Sequence, residues 1–329
     1  VKYVFHRYAC RQCGAIFYSP QRPWPGEKYG PNILSYIIHQ LIDSHVSQGI
    51  VTKNLNLFFN FRLERNTVKR QKARGAEIYK GTYEGIFQKI VHGNLIHADE
   101  TKVSIEGEDA FVWVFTNMEE VAYLYTETRE GDFLQELLRD FKGVLVSDFY
   151  AAYDAINCAQ QKCLIHLMRD LNDDLLKQPF NEELKALVRE FARLLKSIIE
   201  AVDRFGLKAH YLRKYKAFVW RFYRDLFKRD YQSEIAVYYK KRFEKNQDKL
   251  FTFLDYDGIP WNNNNAEHAV KAFATLRKVI DGSTNERGIR DYLILLSICQ
   301  TCTYRGIDFF EYLRSGEKRI DGYAGKRGR

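Results

Sequence analysis

Three acidic residues of this sequence stand where carboxylates could bind a metal ion. Asp99 lies within HADET, in an apolar segment typical of a strand, and Asp148 ends the short apolar segment VLVSD. A carboxylate in or at the end of a buried strand is costly unless it is paired or binds a cation. Glu267 follows four consecutive asparagines, which favour a helix N-terminus and place it in the first turn of a helix. If the three side chains converge, a divalent cation would relieve their mutual repulsion.

Each of these acidic residues taken alone has a simpler interpretation. Glu267 could pair with Lys271, one turn later on the same helix, for roughly a few tenths of a kcal/mol. The buried stripe of that helix is predicted to comprise Ala266, Val270, Phe273 and Ala274. It is the joint placement on two strands and a nearby helix that favours a shared metal site.

Two cysteine motifs are further candidates for metal ligands. Cys10 and Cys13 have the C-x-x-C spacing of zinc ligands, and His6 could supply a third ligand, but a tetrahedral site needs four. Cys163 and His166, in CLIH, are half of a zinc site; the simpler interpretation is a buried cysteine beside a hydrogen-bonded histidine. We expect a structural role for this pair close to the acidic residues.

The elements that must position these residues follow one another in a mixed order. Three strands, LIHADETKVSI, EDAFVWVFTN and VAYLYTETR, are predicted from their β-branched and aromatic residues and short polar turns. An amphipathic helix, the buried strand GVLVSDF, a helical turn and a last strand, KCLIHL, come next. This order predicts an α/β fold with a ribonuclease-H-like mixed sheet, in which the first and fourth strands are neighbours. Asp99 and Asp148 would then approach each other across the sheet.

Composition indicates a folded protein without a membrane span. The chain has 329 residues, of which 46% are hydrophobic and 15% aromatic, and it contains no run of about 18 consecutive apolar residues. Six cysteines in a chain of this length argue against a disulfide framework and fit a reducing cytosol. Because Val1 is not Met, we expect an incomplete N-terminus. The basic and aromatic start of the sequence has no apolar stretch of the kind that a secretory signal needs.

The net charge of +9 belongs to the N-terminal third. Residues 1–98 hold 14 Lys and Arg against 5 Asp and Glu, which suggests an arm that binds a polyanion. A helix, a turn and a basic helix are predicted there, with the lead-in LNLFFNF anchoring the basic helix to a small core. A solvated helix face is the simpler interpretation of such a run. The candidate DNA-binding residues are Arg62, Arg65, Lys69, Arg70, Lys72 and Arg74.

Four motifs together carry a family resemblance. HADET, GVLVSDFYAAYDA, KCLIHLMRDL and IPWNNNNAEHAVKAFATLRKVIDGS, in this order, resemble the transposases of the insertion sequence 66 family, a DDE group with a ribonuclease-H-like core. The resemblance implies that Asp99, Asp148 and Glu267 are the catalytic triad, and that they bind two Mg²⁺ or Mn²⁺ ions. It also implies roles for neighbouring residues: a structural one near the site for Cys163, His166, Asn263 and Asn264, and contacts with DNA phosphates for Arg169, Arg277 and Lys278.

The resemblance also implies an organisation of the chain. We expect a ribonuclease-H-like core in two parts, preceded by DNA-binding modules and interrupted by a helical insertion that is basic and aromatic from 204 to 249. The segments are 1–30 (a zinc-binding-module remnant), 31–92 (a helix-turn-helix-like DNA-binding region), 93–167 (core, first part), 168–258 (insertion), 259–316 (core, second part) and 317–329 (a basic tail).

The function implied is a DDE transposase that cuts and joins DNA at the ends of an insertion sequence by two-metal phosphodiester hydrolysis and strand transfer. Its partners would be terminal inverted repeats, target DNA, a second copy of the chain and helper proteins of the same element, in the cytoplasm at the nucleoid. The alternatives are an inactive remnant that only binds DNA and a structure-specific nuclease. The family usually has Gly, Trp and Arg at the positions of Phe149, Leu164 and His268. An inactive remnant therefore stays an alternative.

Overall fold

The computed structural model describes residues 6–18, 28–280 and 284–323. Much of the predicted zinc module, residues 1–5 and 19–27, lies outside these ranges, as does the end of the basic tail, 324–329. At the N-terminus, a hairpin precedes three helices, which confirms that the region 31–92 is helical. These elements are β1 (Arg7–Ala9), β2 (Ile16–Tyr18), α1 (Pro31–Ile42), α2 (Gln48–Phe59) and α3 (Arg65–Val91).

Helix α2 contains most of the apolar segment LNLFFNF, which was predicted to anchor the basic helix. Ser47 caps α2 by accepting the Ile50 N–H, and Asn60 ends it with a left-handed φ of 53°. Its buried face, one turn apart, consists of Val51 and Leu55. The following residues 57–59 lie beyond this contact and are 57–71% exposed, so the prediction that the segment anchors the basic helix is wrong for them.

The central sheet has five strands. In order along the sheet they are β5, β4, β3, β6 and β7; β3 is antiparallel to β4 and parallel to β6. The mixed sheet and the pairing of the first with the fourth strand are confirmed, and the topology is compatible with a ribonuclease-H-like core. The elements are β3 (Leu95–Ile105), β4 (Glu108–Thr116), β5 (Val121–Thr126), α4 (Asp132–Leu137), β6 (Val144–Ser147) and β7 (Ala159–Lys162).

The last strand was predicted three residues too late. It covers Ala159–Lys162, and the CLIHL segment that was read as a strand instead begins a helix at Leu164. Strand β7 has no apolar pattern in the sequence because its buried residues are polar. Gln160 Nε2 donates to Tyr153 O, and Gln161 Nε2 donates to Leu250 O. These hydrogen bonds satisfy buried amides that an apolar pattern cannot reveal.

The insertion is helical, as predicted, and packs on the sheet. Its apolar side chains form a second core cluster together with Leu95 of β3 and with Val144 and Val146 of β6. A short 3-10 turn, Ala151–Ala155, precedes β7 on the way into this region. The helices are α5 (Leu164–Lys177), α6 (Glu182–Phe205), α7 (Ala209–Leu212), α8 (Lys216–Lys228) and α9 (Glu234–Lys245).

Three C-terminal helices complete the structure: α10 (Asn264–Ile280), α11 (Glu286–Tyr304) and α12 (Phe309–Ser315). Helix α11 runs along the outer edge of β5, where Ser297 Oγ accepts the Tyr123 N–H and Thr301 Oγ1 accepts the Val121 N–H, each at 3.0 Å. Two backbone N–H groups of this edge strand are thereby paired. None of the helices in residues 6–18, 28–280 and 284–323 is long and apolar enough to cross a membrane.

The main hydrophobic core joins the N-terminal helices to the sheet. Apolar residues of α1 and α3 share one cluster with β3, β4, β5 and the C-terminal helices. The predicted stripe of α10 is correct at Ala266 and Phe273 but wrong at Val270 and Ala274, which are only partly buried. The helix instead follows a seven-residue repeat, in which the buried positions are Ala266, Ala269, Phe273, Leu276 and Ile280.

Candidate active site

The pairing of β3 with β6 brings two predicted carboxylates together. His97 pairs with Val146 in parallel register, so continuing two residues further aligns Asp99 with Asp148. Both residues are half-buried. Asp99 Oδ1 accepts the Glu100 N–H at 2.9 Å, and Asp148 Oδ1 accepts the Tyr150 N–H at 2.8 Å. Each carboxylate is therefore oriented by a backbone donor.

Asn263, which is fully buried, brings Glu267 to the same place. Its Oδ1 accepts from His97 Nδ1 at 3.0 Å, and its Nδ2 donates to Ala98 O at 2.9 Å, so the side chain is bound twice to β3. Its carbonyl oxygen accepts the Glu267 N–H at 3.1 Å. One residue therefore connects the strand that carries Asp99 to the first turn of the helix that carries Glu267.

The charges of the three carboxylates act on one another. Burial raises the pKa of Asp99 to about 7, with repulsion from Glu100 next and smaller contributions from Asp148 and Glu267. Burial also lowers the pKa of His97 to about 4, so this histidine is neutral and adds no positive charge. The charges of Asp148 and Glu267 are thus near enough to Asp99 to raise its pKa, and the shared role of the three residues stays a prediction.

The charges of Arg129 and Lys162 act on Asp148 from a distance, without an ion-pair contact. Within the described ranges, no Lys or Arg forms an ion pair with Asp99, Asp148 or Glu267; the contact of Glu267 is His166 Nε2, at 3.5 Å from Oε1. Glu267 Oε1 is buried and accepts no hydrogen bond. A set of carboxylate oxygens with unused lone pairs fits hard divalent cations such as Mg²⁺ and Mn²⁺.

A fourth carboxylate next to the pocket, Glu100, was missed by the sequence analysis. Its side chain is only 3% exposed; it accepts from Tyr153 Oη at 2.6 Å and from Arg129 Nη2 at 2.5 Å. The Arg129 guanidinium also lies over the Tyr150 ring, 4.0 Å from its centroid. The doublet Asp99–Glu100 was visible in the sequence, but nothing in it connects Glu100 to an arginine 29 positions away.

The CLIH motif lies beside Glu267, as expected. Cys163 is fully buried at the N-cap of α5, and its Sγ accepts the Asn263 N–H at 3.2 Å. Burial raises the pKa of its thiol. Asn264, which was grouped with Asn263, is different: it is exposed and donates its N–H to Asn262 Oδ1 at 3.1 Å.

The three departures from the family pattern have different environments. Leu164 is fully buried at the start of α5, so it belongs to the core of the insertion. Phe149 packs against that same cluster beneath the Arg242 guanidinium, 4.3 Å from the ring centroid. His268 is exposed on α10.

The N-terminal cysteines lie on the turn of the β1–β2 hairpin. Cys10 N–H donates to Ala15 O at 2.8 Å, and Gly14 closes the turn with a φ of +71°. Hydrogen bonds from the backbone of Cys13 and Gln12 lower the pKa of the Cys10 thiol. In the part of the chain that the structure describes, no third His, Cys, Asp or Glu joins this pair, so His6 does not complete the site.

The predicted basic run is divided between surface and core. Arg62, Arg65, Lys69 and Arg70 are exposed and Arg74 is half-buried. The prediction that Lys72 belongs to the exposed basic run is wrong. Lys72 is 1% exposed, and its Nζ donates to Gly288 O at 2.7 Å and lies 3.6 Å from Asp291. Its stem is long enough to reach α11, so it connects α3 to that helix and does not face solvent.

The remaining predicted DNA contacts lie on α5 and α10. Arg169 and Lys278 are exposed. Arg277 is held against β3, where it donates to Thr101 Oγ1 at 3.2 Å and to the Lys102 carbonyl. The insertion adds an aromatic and basic surface on α8: Trp220 is 63% exposed and has Arg224 5.3 Å from its ring centroid.

Three proteins of Sinorhizobium fredii (strain NBRC 101917 / NGR234) are similar to this chain, each of them uncharacterized. Protein y4jO is 27% identical over 155 residues, which cover 40% of this chain and 47% of its own length. Protein y4jD is 23% identical over 349 residues (95% and 68%), and protein y4qI is 24% identical over 267 residues (71% and 49%). The match therefore spans about half the length of two of these relatives.

The sequence pattern of the transposase IS66 family matches residues 26–291, which is most of the chain. The matched range includes β3, which carries Asp99, the residue after β6, which is Asp148, and the first turn of α10, which carries Glu267. The chain therefore belongs to the IS66 family of transposases.

Proposed function

We propose that this protein cuts and joins DNA at the ends of an insertion sequence, with Asp99, Asp148 and Glu267 as the ligands of two Mg²⁺ or Mn²⁺ ions. The observation that carries the proposal is the pocket of three carboxylates without a lysine or arginine partner among the described residues, in a chain of this family. Such a pocket is electrostatically incomplete. A pair of divalent cations supplies the missing charge.

The chain's own residues hold and orient the carboxylates. The N–H groups of Glu100 and Tyr150 fix Asp99 and Asp148, and Asn263 fixes the helix turn of Glu267. Held by these carboxylates, divalent ions would supply the positive charge that activates the attacking water or 3′-hydroxyl and stabilises the leaving oxygen. Because the same ligands serve either nucleophile, hydrolysis and strand transfer can use one site.

DNA is the proposed partner, with terminal inverted repeats and target DNA as substrates. The exposed cations of α3, together with Arg169 and Lys278, suit phosphate contacts. Trp220 and Arg224 on the insertion suit stacking against unpaired bases. A second copy of the chain, helper proteins and action at the nucleoid are part of the proposal. A zinc ion bound by Cys10, Cys13 and two further ligands is also part of the proposal.

The test is nicking of the element's terminal inverted repeats in the presence of Mg²⁺. We expect Asp148→Asn to reduce the rate by about a thousandfold or more, since it removes a ligand of the ions that stabilise the transition state. Asp154→Asn, six residues later, is the matched control and should retain nicking in the folded protein. Equal nicking by the wild type and Asp148→Asn would contradict the proposed site.

The second candidate is a DNA-binding protein without catalysis. It is favoured by the departures Phe149, Leu164 and His268 and by a basic surface that does not depend on the acidic pocket. This candidate predicts salt-sensitive DNA binding by the wild type and by Asp148→Asn alike, with no nicking by either. Preference for branched junctions over repeat ends would indicate a structure-specific nuclease.

A further inference from the structure

A second set of ligand atoms lies beside the acidic pocket. Cys163 Sγ, a ring nitrogen of His166 and a carboxylate oxygen of Glu267 all lie within 4.8 Å of one another. Cys163 is fully buried, and the other two side chains are about one quarter exposed, at 25% and 23%. These residues come from the start of α5 and the first turn of α10, so two rigid helices position them.

Two polar atoms of this cluster have no hydrogen-bond partner. They are His166 Nδ1 and Glu267 Oε1, both buried. Buried polar atoms without a partner are uncommon, and Glu267 Oε1, which has His166 Nε2 3.5 Å away, points to a group that binds beside it.

The environment of the sulfur also favours a cation. Cys163 Sγ lies at the N-terminus of the 14-residue helix α5, where it accepts the Asn263 N–H at 3.2 Å and interacts with the N–H groups of Ile165 and His166. These donors stabilise a negative sulfur, whereas burial disfavours one that is unpaired. A bound cation would offset the cost of burial.

We propose that Cys163, His166 and Glu267 bind one thiophilic divalent cation such as Zn²⁺. A sulfur, a nitrogen and an oxygen donor suit zinc, whereas Mg²⁺ prefers oxygen alone. Zinc–ligand lengths of about 2.0–2.3 Å require the donor atoms to approach by about 1 Å from their widest separation. Three protein ligands leave the fourth position open to water.

This proposal goes beyond the proposed function, since Asp99 and Asp148 take no part in the site. Glu267 is common to both sites, so a thiophilic ion would withdraw it from the acidic pocket. The site would exist even if the protein did not cut DNA.

The test is titration of the full chain with Cd²⁺ under reducing conditions, after chelation of adventitious metal. Cys10→Ser/Cys13→Ser is the starting variant, so that the N-terminal hairpin does not contribute thiolate ligands. We expect one Cd²⁺ per chain with a thiolate-to-cadmium charge-transfer band. Cys163→Ser should abolish the band, and Cys158→Ser, a half-buried cysteine outside the cluster, should retain it.

Two further variants keep the result interpretable if Cys163→Ser fails to fold. His166→Ala and Glu267→Gln alter partly exposed side chains, and each should weaken Cd²⁺ binding by at least about tenfold, the lower bound for losing even an outer-sphere partner. Asp99→Asn should leave Cd²⁺ affinity unchanged, although it should abolish nicking if the proposed function is correct.

Three results would overturn the site. They are absence of the band in the starting variant, persistence of the band in folded Cys163→Ser, and equal weakening by Asp99→Asn and Glu267→Gln. The last result would assign the ion to the acidic pocket.

Discussion

Two carboxylates six positions apart have opposite surroundings. Asp154 has three lysines around it: Lys162 and Lys249 at 3.1 Å and Lys245 at 3.6 Å. Within the described residues, Asp148 has no lysine or arginine in ion-pair contact, although the charges of Arg129 and Lys162 act on it from further away, and it faces Asp99 across the sheet. One carboxylate is thus neutralised by the chain itself, and the other is left with a like charge as its neighbour.

The same contrast appears in the pKa values. Burial pushes the pKa of Asp154 upward, but Lys162 and Lys249 together hold it below its ordinary value. Burial raises the pKa of Asp99 to about 7, and repulsion from Glu100, Asp148 and Glu267 adds to the rise. Glu100 is like Asp154 in that a cation of the chain, Arg129, neutralises its charge. We infer that carboxylates with a built-in cation support the fold, and that the pocket depends on an external one.

The largest effect on stability is expected at Asp154. Asp154→Ala leaves the Lys162 ammonium, which is 1% exposed, buried without its partner, and should lower the free energy of unfolding by about 3 kcal/mol. Urea unfolding measures this change. Asp173→Ala, at an exposed carboxylate, is the matched control and should change stability by less than about 0.5 kcal/mol. A loss below about 1 kcal/mol for Asp154→Ala would contradict the contrast.

Asn263→Ala tests what holds Glu267 at the pocket. The variant leaves His97 Nδ1 and Ala98 O buried without partners, and should cost about 2 kcal/mol in the free energy of unfolding. Because Glu267 then loses its fixed distance from Asp99, Mn²⁺ should bind more weakly as well. Asn264→Ala, at the exposed neighbouring asparagine, should do neither. Equal effects of the two variants would contradict the role of Asn263.

Asp99→Asn should stabilise the metal-free protein at high pH. The folded pKa of Asp99 is above that of the unfolded chain, so the folded state binds the extra proton and stability falls as pH rises from about 4 to about 7. Removing the charge should therefore raise the free energy of unfolding by about 1–2 kcal/mol at about pH 8 and by little at about pH 4.

Urea unfolding in EDTA at the two pH values measures the effect of Asp99→Asn. Mn²⁺ should then stabilise the wild type and not the variant, since a ligand that binds only the folded state shifts its stability. A variant less stable than the wild type at high pH would contradict the assignment of a repulsive pocket.

The smallest expected effect is on the salt dependence of DNA binding, to which exposed cations should contribute and neutralised cations should not. Lys69→Ala should lower the slope of DNA affinity against salt by about 0.9, the value for one lost phosphate contact. Lys72→Met should leave that slope unchanged, because its ammonium is bound to Gly288 O and Asp291. Binding measured across a salt series gives both slopes. A reduced slope for Lys72→Met would show that the lysine leaves the core to reach DNA.

The elements that carry the site were predictable: β3 and β6 from their apolar residues, and the start of α10 from its asparagines, although half of the predicted stripe of α10 was wrong. The prediction failed at β7, whose buried glutamines bond to the backbone of other segments. It failed again at Lys72, which looks like its exposed neighbours in a list of charges. In both cases a buried polar residue bonds to a partner that is remote in the sequence. The sequence does not show that partner, so it does not predict the burial.

The amino-acid order by itself determined the mixed α/β pattern, the acidic residues at strand and helix ends, and the basic N-terminal third. Local backbone preference and side-chain periodicity are enough for these features. Only the tertiary structure decided which charges have partners: it gave Asp154 three lysines and Glu100 an arginine, and it gave Asp99 two further carboxylates. Charge pairing depends on distances of a few ångströms between residues that are remote in sequence, and only the folded chain sets those distances.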